Sequence, residues 1–261
     1  MNLEILFLSI IQGASEILPI SSSVNLYFFS KLWNLSAFSF GLKIALHVGS
    51  LMTFIIYFRQ DIGAIFRAMF TRKNKLSDTY FWALIIGTIP VVILGFLAID
   101  FVREFESKVV VGTSCILFGC LLLICDKLSI ARARSGDRSR VSIPKAIIVG
   151  CFQAISIFPG VSRLGICITA ARILHIDRKK AIAFSMLLAI PSICGSMSLG
   201  LIDCYKHNDF AVFSLDSLIG IFLTMLLGLI VIFPCVRHME KAGFMYLVIY
   251  RILMGTLMIL M

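Results

Sequence analysis

Charged residues are scarce in this sequence, and acidic residues are scarcer than basic ones. Of 261 residues, 15% are charged and 59% are hydrophobic, with 24 Lys and Arg against 14 Asp and Glu. A soluble domain normally carries about 25% charged residues, so the composition excludes an ordinary soluble domain. Repeated apolar runs of roughly 20 residues instead predict an integral membrane protein that forms one membrane domain over 1–261.

Two further patterns are missing. None of the eight cysteines stands in a Cys-x-x-Cys pair, and most lie among apolar residues. This predicts small packing residues and neither a zinc site nor a disulfide framework. The opening residues MNLEILFLSII contain Glu4 but no Lys or Arg, so they lack the basic region of a cleaved signal peptide.

The net charge of +10 does not indicate nucleic-acid binding, because the basic residues cluster in loops between apolar runs. By the positive-inside rule, the loops rich in Lys and Arg are cytoplasmic. Sixteen Lys and Arg lie in the loops 59–78, 126–145, 175–180 and 236–242, whereas three lie in 100–108 and 202–214. We therefore predict a bilayer protein with no nucleic-acid partner.

Six apolar runs are long enough to form full transmembrane helices. They cover about 38–58, 80–99, 109–125, 181–201, 215–235 and 243–261. Two further segments, 3–33 and 143–174, are broken in the middle by LPISSS and FPGVSR, which predicts re-entrant helical hairpins. The charge rule then places both termini outside, with the first hairpin entering from outside and the second from the cytoplasm.

The two interrupted segments echo each other, since Gln12 and Gln153 each precede a serine turn that contains a proline. We predict an all-α polytopic membrane protein with about six full transmembrane helices plus two re-entrant helical hairpins. The hairpins are related as inverted repeats, in halves of roughly 1–125 and 140–261. Broken helices at matching positions indicate a site near the midplane of the membrane.

The two interruptions carry opposite charges. Glu16 is an intramembrane carboxylate, which is costly and marks a functional site by default, although a nearby serine or amide satisfying a buried acid is the structural alternative. Arg163 offers a planar guanidinium suited to phosphate oxygens, and its structural alternative is an ion pair with Glu16. Both interpretations predict that the two hairpin tips meet.

Each interruption also opens a helix. Helix capping explains one or two of Ser21, Ser22 and Ser23 but not easily all three. With Ser162 opening the second helix, two helix N-termini point at one place and form an anion site, which predicts a phosphate or diphosphate ligand. Ser22 is the candidate nucleophile, and Glu16 either accepts its proton or holds a metal ion.

Four other polar residues lie inside apolar segments. Gln12 precedes Glu16 by one helical turn and shares its face. His47 is either a satisfied core histidine or a site residue. Tyr250 and Arg251 either line the cavity or form structural pairs, and the sequence does not separate these alternatives.

At these positions the sequence resembles the undecaprenyl-diphosphate phosphatases, also called bacitracin-resistance proteins. The resemblance extends over nearly the whole chain. Its motifs are QGASEILPISSS at 12–23, HVGS at 47–50, GTIPVVILG at 87–95, FPGVSR at 158–163, FSMLLAIP at 184–191 and IYR at 249–251.

The resemblance implies a hydrolase that converts undecaprenyl diphosphate to undecaprenyl phosphate. That reaction recycles the lipid carrier of peptidoglycan synthesis, supports cell wall and cell shape, and confers resistance to bacitracin. The resemblance also implies a multi-pass protein of the bacterial plasma (inner) membrane with its site facing the periplasm, and a divalent cation, Mg²⁺ or Ca²⁺. A homodimer is left open.

Residue chemistry and resemblance together predict the site. The catalytic residues are Glu16, Ser22 and Arg163, with Glu16 also the metal ligand. The substrate-binding residues are Gln12, Ser21, Ser23, Asn25, Ser162 and His47.

The sequence departs from the family pattern at three positions. Asn25 occupies the position of a histidine, Leu164 that of a serine, and Cys167 that of a threonine, although Thr169 is close by. Asparagine can hydrogen-bond phosphate but cannot carry a proton. If that histidine were the obligatory nucleophile, the chain would be inactive.

Several alternatives therefore stay open. If serine attacks, Ser22 and Glu16 are sufficient, and His47 is a hypothetical source of an imidazole. Attack by metal-bound water is the other chemical route. The rival functions are a transporter that returns undecaprenyl phosphate across the bilayer, and a binding-only relative that Asn25 has left inactive.

Overall fold

The computed structural model describes residues 3–35, 39–71, 75–104, 107–132 and 141–261, and these ranges are helical apart from short turns. The α-helices are α1 Leu3–Ser15, α2 Ser22–Leu32, α3 Phe40–Tyr57, α4 Arg59–Thr71, α5 Lys75–Glu104, α6 Lys108–Arg132, α7 Ile143–Ala154, α8 Arg163–Ile173, α9 Arg178–Lys206, α10 Leu215–Ala242 and α11 Met245–Leu260. Short 3-10 helices occur at Ile155–Ile157 and Phe210–Phe213. The predicted all-α class is confirmed.

Five helices in the described ranges are long and apolar enough to cross a membrane, namely α3, α5, α6, α9 and α10. The sixth predicted span, 243–261, is the 16-residue helix α11. At 1.5 Å per residue it is about 24 Å long, shorter than the roughly 30 Å hydrocarbon layer. It is short because α10 continues to Ala242 and a turn at Gly243, with φ of 78°, separates the two helices.

The loops predicted from charge are partly helical, and this part of the sequence interpretation was wrong. Helix α4 occupies most of the predicted loop 59–78, and α6 continues to Arg132. The charged residues of α4 lower its mean hydropathy, so a search for apolar runs does not detect this helix. Its residue Ile65 is nevertheless buried. Parts of the predicted loops, at 72–74, 105–106 and 133–140, lie outside the described residues.

Both interrupted segments form helix–turn–helix hairpins, as predicted. The first consists of α1 and α2, and the second consists of α7, the 3-10 helix and α8. Helices α2 and α8 have 11 residues each, or about 17 Å, which is too short to cross the hydrocarbon layer. Each hairpin therefore turns back with its tip inside the protein.

Each hairpin packs against a long helix of the other half. Helix α1 contacts α10, and α7 contacts α5. Small residues make both contacts possible, because Gly13 lies against the backbone of Gly228 and Gly150 lies against the backbone of Gly87. Close approach through small residues is the usual way that helices associate in membranes. This reciprocal packing brings the two tips toward the same region.

A buried ion cluster joins the ends of four helices. The Asp126 carboxylate accepts hydrogen bonds from Arg172 Nε at 2.8 Å and from Arg178 Nη2 at 2.6 Å. Arg178 Nη1 also donates to the carbonyl of Glu240 at 3.3 Å. The cluster ties α6, α8, α9 and α10 together, and removing one partner would leave a buried charge uncompensated.

The α5–α7 contact gives a direct test of the packing. We expect Gly150→Ala to lower the free energy of unfolding by about 1–3 kcal/mol, because its Cβ would overlap the backbone of Gly87. The measurement is thermal unfolding in detergent. Gly95→Ala is the matched control, since among the described residues nothing lies within 4 Å of a Cβ at that position. Equal unfolding temperatures for the two variants would contradict the reciprocal packing.

Candidate active site

The two hairpin tips adopt the same unusual backbone conformation. Ser21 and Ser162 immediately precede α2 and α8, and their φ angles are 67° and 69°. A positive φ in a residue with a side chain costs roughly 1 kcal/mol or more and persists where the surrounding structure requires it. The same strained conformation at corresponding positions agrees with an inverted repeat. In both hairpins this turn places the N-terminus of the following helix at the tip.

Glu16 lies at the first tip beside a serine and a histidine. Its Oε2 accepts a hydrogen bond from Ser22 Oγ at 2.6 Å, and it lies 3.4 Å from His47 Nδ1. The Glu16 side chain is 8% exposed and that of His47 is 21% exposed. A hydroxyl that donates directly to a carboxylate is the arrangement expected for a serine whose proton is removed during attack.

Gln12 contacts both Glu16 and His47 from the protein interior. It is completely buried, and its Nε2 lies 3.1 Å from Glu16 Oε2, 2.9 Å from His47 Nδ1 and 3.2 Å from Ser50 Oγ. Gln12 was predicted to bind substrate, and in the structure its amide nitrogen contacts a residue just after α1 and two residues of α3. In this position its amide orients the carboxylate and the imidazole. Ser50, which the sequence analysis did not select, is the serine of HVGS and lies one helical turn beyond His47.

Arg163 opens α8 at the second tip, and its guanidinium is largely uncommitted. Its one hydrogen bond within the described residues is a long one, from Nη1 to Ser192 Oγ at 3.5 Å. No nitrogen of its guanidinium lies within 4 Å of a carboxylate oxygen among the described residues. The ion pair with Glu16 that was the structural alternative is therefore absent. It nevertheless acts electrostatically on both Glu16 and His47. The other N–H groups of the Arg163 guanidinium remain available to an anion.

The serines of the tips have three different kinds of partner. Ser162 Oγ accepts a hydrogen bond from the Gly165 amide at 3.2 Å and therefore caps α8. Ser21 is buried, and its hydroxyl lies 3.2 Å from that of Ser23. Ser22 and Ser23 are half-buried. Capping thus accounts for Ser162, whereas Ser22 is directed to Glu16.

Asn25 is placed differently from its prediction as a substrate-binding residue. It is 2% exposed, and its Nδ2 donates to the carbonyls of Ile20 at 3.2 Å and Ser21 at 2.9 Å. Its Oδ1 accepts a hydrogen bond from the Tyr250 hydroxyl. The whole amide is therefore engaged in holding the first tip against α11. The Ser21 carbonyl also accepts a hydrogen bond from the Asn25 main-chain N–H at 3.3 Å, and the Ile20 carbonyl, which lies before α2, receives its donor from the Asn25 side chain. Tyr250 forms a structural pair here.

A divalent cation would find one carboxylate at this site. Among the described residues no three His, Cys, Asp or Glu side chains converge as a metal cage. Every hydrogen bond that the described residues make to the Glu16 carboxylate falls on Oε2, which leaves Oε1 as an acceptor. Magnesium is commonly held by one or two carboxylates together with substrate phosphates. The residues present fit an ion shared with a phosphate ligand.

Comparison with known proteins covers nearly the full length of the chain. Residues 5–257 match the family model described as bacitracin resistance protein BacA. The chain belongs to the bacitracin resistance protein family. Among the relatives, the undecaprenyl-diphosphatase of Alteromonas mediterranea is 33% identical over 98% of this chain and 97% of its own length. That of Tropheryma whipplei is 34% identical over 100% and 99%, respectively.

Membership of the bacitracin resistance protein family agrees with the site geometry. The motifs that carried the resemblance, QGASEILPISSS and FPGVSR, form the two tips. Asn25, one of the departures from the family pattern, is buried behind the first tip. Cys167, another departure, is buried in α8 and its Sγ donates to Gln153 Oε1 at 3.3 Å. Both departures therefore make contacts within the protein.

The Tyr250–Asn25 contact can be tested without an activity assay. We expect Tyr250→Phe to lower the free energy of unfolding by about 1–3 kcal/mol, because the buried Asn25 Oδ1 loses its donor. Tyr250→Phe in an Asn25→Ala background should cost clearly less, since the partner is already gone. Thermal unfolding of the four proteins in detergent measures the coupling. Tyr246→Phe, on an exposed tyrosine of the same helix, is the control, and strictly additive losses would contradict the contact.

Proposed function

We propose that this chain is an integral membrane phosphatase that hydrolyses undecaprenyl diphosphate to undecaprenyl phosphate and inorganic phosphate. The relatives that match over nearly their full length carry the name undecaprenyl-diphosphatase. The single structural observation that carries the proposal is the 2.6 Å hydrogen bond from Ser22 to Glu16, placed at the tip opposite the uncommitted Arg163. Recycling of the lipid carrier for peptidoglycan synthesis and resistance to bacitracin follow from this activity.

The proposed site binds the diphosphate through groups that are already in place. The N-termini of α2 and α8 offer main-chain N–H groups and the positive ends of two helix dipoles. Arg163 adds a planar set of donors suited to phosphate oxygens. Because these donors are fixed before substrate arrives, they stabilise the charge that develops on the transferred phosphoryl group without rearranging.

In the proposed reaction, Ser22 Oγ attacks the terminal phosphorus while Glu16 accepts its proton. The bond from that phosphorus to the bridging oxygen breaks, and undecaprenyl phosphate leaves. Glu16 passes the serine proton to the departing undecaprenyl phosphate and is again a carboxylate when water attacks the phosphoserine. It then accepts a proton of that water and returns it to Ser22 Oγ as the bond from Oγ to phosphorus breaks and phosphate leaves. Direct attack by water uses the same groups and differs in forming no phosphoserine, which mass spectrometry of the rapidly quenched enzyme distinguishes.

The proposed divalent cation, Mg²⁺ or Ca²⁺, would be held by Glu16 together with the substrate phosphates. When bound, it would neutralise phosphate charge. The protein groups carry the remaining work: Gln12 orients Glu16, His47 lies beside its carboxylate at 3.4 Å, and Arg163 faces the anion. Asn25 has no proton to exchange, so in this proposal it supports the tip.

We place the chain in the bacterial plasma membrane with its site facing the periplasm. The concentration of Lys and Arg in four loops supports this orientation by the positive-inside rule. The lipid tail would lie against outward-facing apolar side chains, which are abundant on α5 and α10, for example Phe96 and Phe222.

One observation favours a second function, return transport of undecaprenyl phosphate. A cavity of about 550 Å³ lies between α3, α4, α5, α9 and α10. Its lining combines the charged residues Asp61, Lys179 and Glu240 with the apolar residues Met186 and Leu187.

One apolar cluster connects the lining of this cavity with both tips. Met186 and Leu187 belong to that cluster together with Ile17 and Leu164, which directly follow the candidate acid and arginine. Alternating access would require this cluster to part, so that the site becomes accessible from the side of the cavity. Proteoliposomes containing the Ser22→Ala protein separate the functions: movement of undecaprenyl phosphate between leaflets supports transport, and its absence leaves hydrolysis alone.

The phosphatase proposal is tested by phosphate release from undecaprenyl diphosphate in detergent with Mg²⁺ or Ca²⁺. We expect wild type to be active, and Arg163→Ala to lose about 10²–10³-fold in kcat, because a preorganised donor to the transferred group is removed. Arg237→Ala, an exposed arginine of α10, is the matched control and should retain activity. An inactive wild type that gains activity on Asn25→His would overturn the proposal and leave a binding protein.

A further inference from the structure

Arg251 on α11 is a buried cation with no carboxylate among its described partners. It is completely buried in the protein interior. Its guanidinium donates to four main-chain carbonyls, those of Cys115 at 2.9 Å, Pro19 at 3.1 Å, Gly160 at 3.0 Å and Val161 at 3.0 Å. A cation enclosed in this way is tolerated when every N–H group finds an acceptor.

The acceptors are distributed over both hairpin tips. Pro19 belongs to the first tip and lies between Glu16 and Ser22 in the chain, whereas Gly160 and Val161 belong to the second. Carbonyls at interrupted helix ends have no helical partner, and in the membrane interior protein groups must satisfy them. One rigid guanidinium therefore satisfies both tips at once and fixes the distance between them.

The space around the guanidinium is shaped by glycines. A Cβ at Gly119 on α6 would lie 3.1 Å from Arg251 Nε, and a Cβ at Gly165 on α8 would lie 3.0 Å from Nη1. Both distances are tighter than ordinary van der Waals contact. The helices on either side thus leave room for a planar group at this place and leave little room for it to move.

We propose that Arg251 is the positioning residue that aligns the two tips, so that the Ser22–Glu16 pair faces Arg163. Arg251 acts through the backbone of Pro19, Gly160 and Val161 and touches no substrate. The proposal rests on the proposed phosphatase function for its kinetic consequence. Its structural consequence, an ordered pair of tips, is independent of that function.

The contribution of the guanidinium differs from that of a positive charge alone. Lysine retains the charge but offers one ammonium group, which cannot reach acceptors on two tips and on α6 in a fixed plane. A displacement of about 1 Å between reacting groups costs on the order of 10²-fold in rate. We therefore expect Arg251→Lys to lower kcat at least tenfold while KM changes by less than about threefold, because the phosphate-binding groups remain present.

The experiment combines two measurements on the full-length protein in detergent. The first is steady-state hydrolysis of undecaprenyl diphosphate by wild type and Arg251→Lys. The second is amide hydrogen exchange followed by mass spectrometry, in which Arg251→Lys should exchange faster in 16–22 and 159–165 than wild type, with α3 and α10 unchanged. Arg172→Lys is the matched control, since Arg172 is also buried but pairs with Asp126 away from the tips.

A second variant keeps the arginine in place. Gly119→Ala should press on the Arg251 side chain from α6 and produce the same selective loss of kcat and the same faster exchange at the tips. Gly95→Ala is its control. This variant provides the test if Arg251→Lys does not fold.

Each outcome decides the proposal. Unchanged kcat and unchanged tip exchange in both variants would overturn it, as would faster exchange spread over the whole protein as in Arg172→Lys, which is the sign of a merely structural residue. A wild type that releases no phosphate refutes the phosphatase function instead, and tip exchange in the variants then still tests the positioning role.

Discussion

Two helices that end inside a bilayer impose the central constraint on this protein, since each exposed main-chain group there needs a partner without bulk water. The structure supplies these partners from distant parts of the chain. Asn25 holds the first tip through the carbonyls of Ile20 and Ser21. Arg251 joins both tips through three carbonyls and reaches α6 through a fourth. Both tips are therefore held in place by side chains of α11, although at 16 residues this helix is shorter than α9 and α10.

The buried and half-buried arginines show how the same side chain serves different purposes. Arg172 is paired with Asp126, and Arg251 donates to four backbone carbonyls. Arg163 has a single long contact, to Ser192, within the described residues. Because a guanidinium in an apolar environment needs acceptors, the proposed phosphate ligand would complete the hydrogen bonds of Arg163. The uncommitted arginine is the one that begins α8 at the second tip.

The exchange of histidine for asparagine at position 25 changes how the first tip is built. An amide donates to two carbonyls and accepts from Tyr250, which an imidazole cannot do simultaneously. The chemistry proposed for this chain rests on the direct contact between Ser22 and Glu16. The imidazole nearest that carboxylate belongs to His47 on α3, held by Gln12.

The sequence by itself determined the membrane class, the two hairpins and the pairing of an acidic tip with a basic one, because apolar runs, their interruptions and isolated charges are local signals. Tertiary structure decided what each polar residue contacts. It buried Gln12 beneath Glu16, engaged Asn25 with Tyr250, and placed Arg251 against carbonyls 232 and 91 positions away. It also formed α4 from a charged segment. No local pattern encodes contacts between such distant positions, since they arise only when the two halves pack.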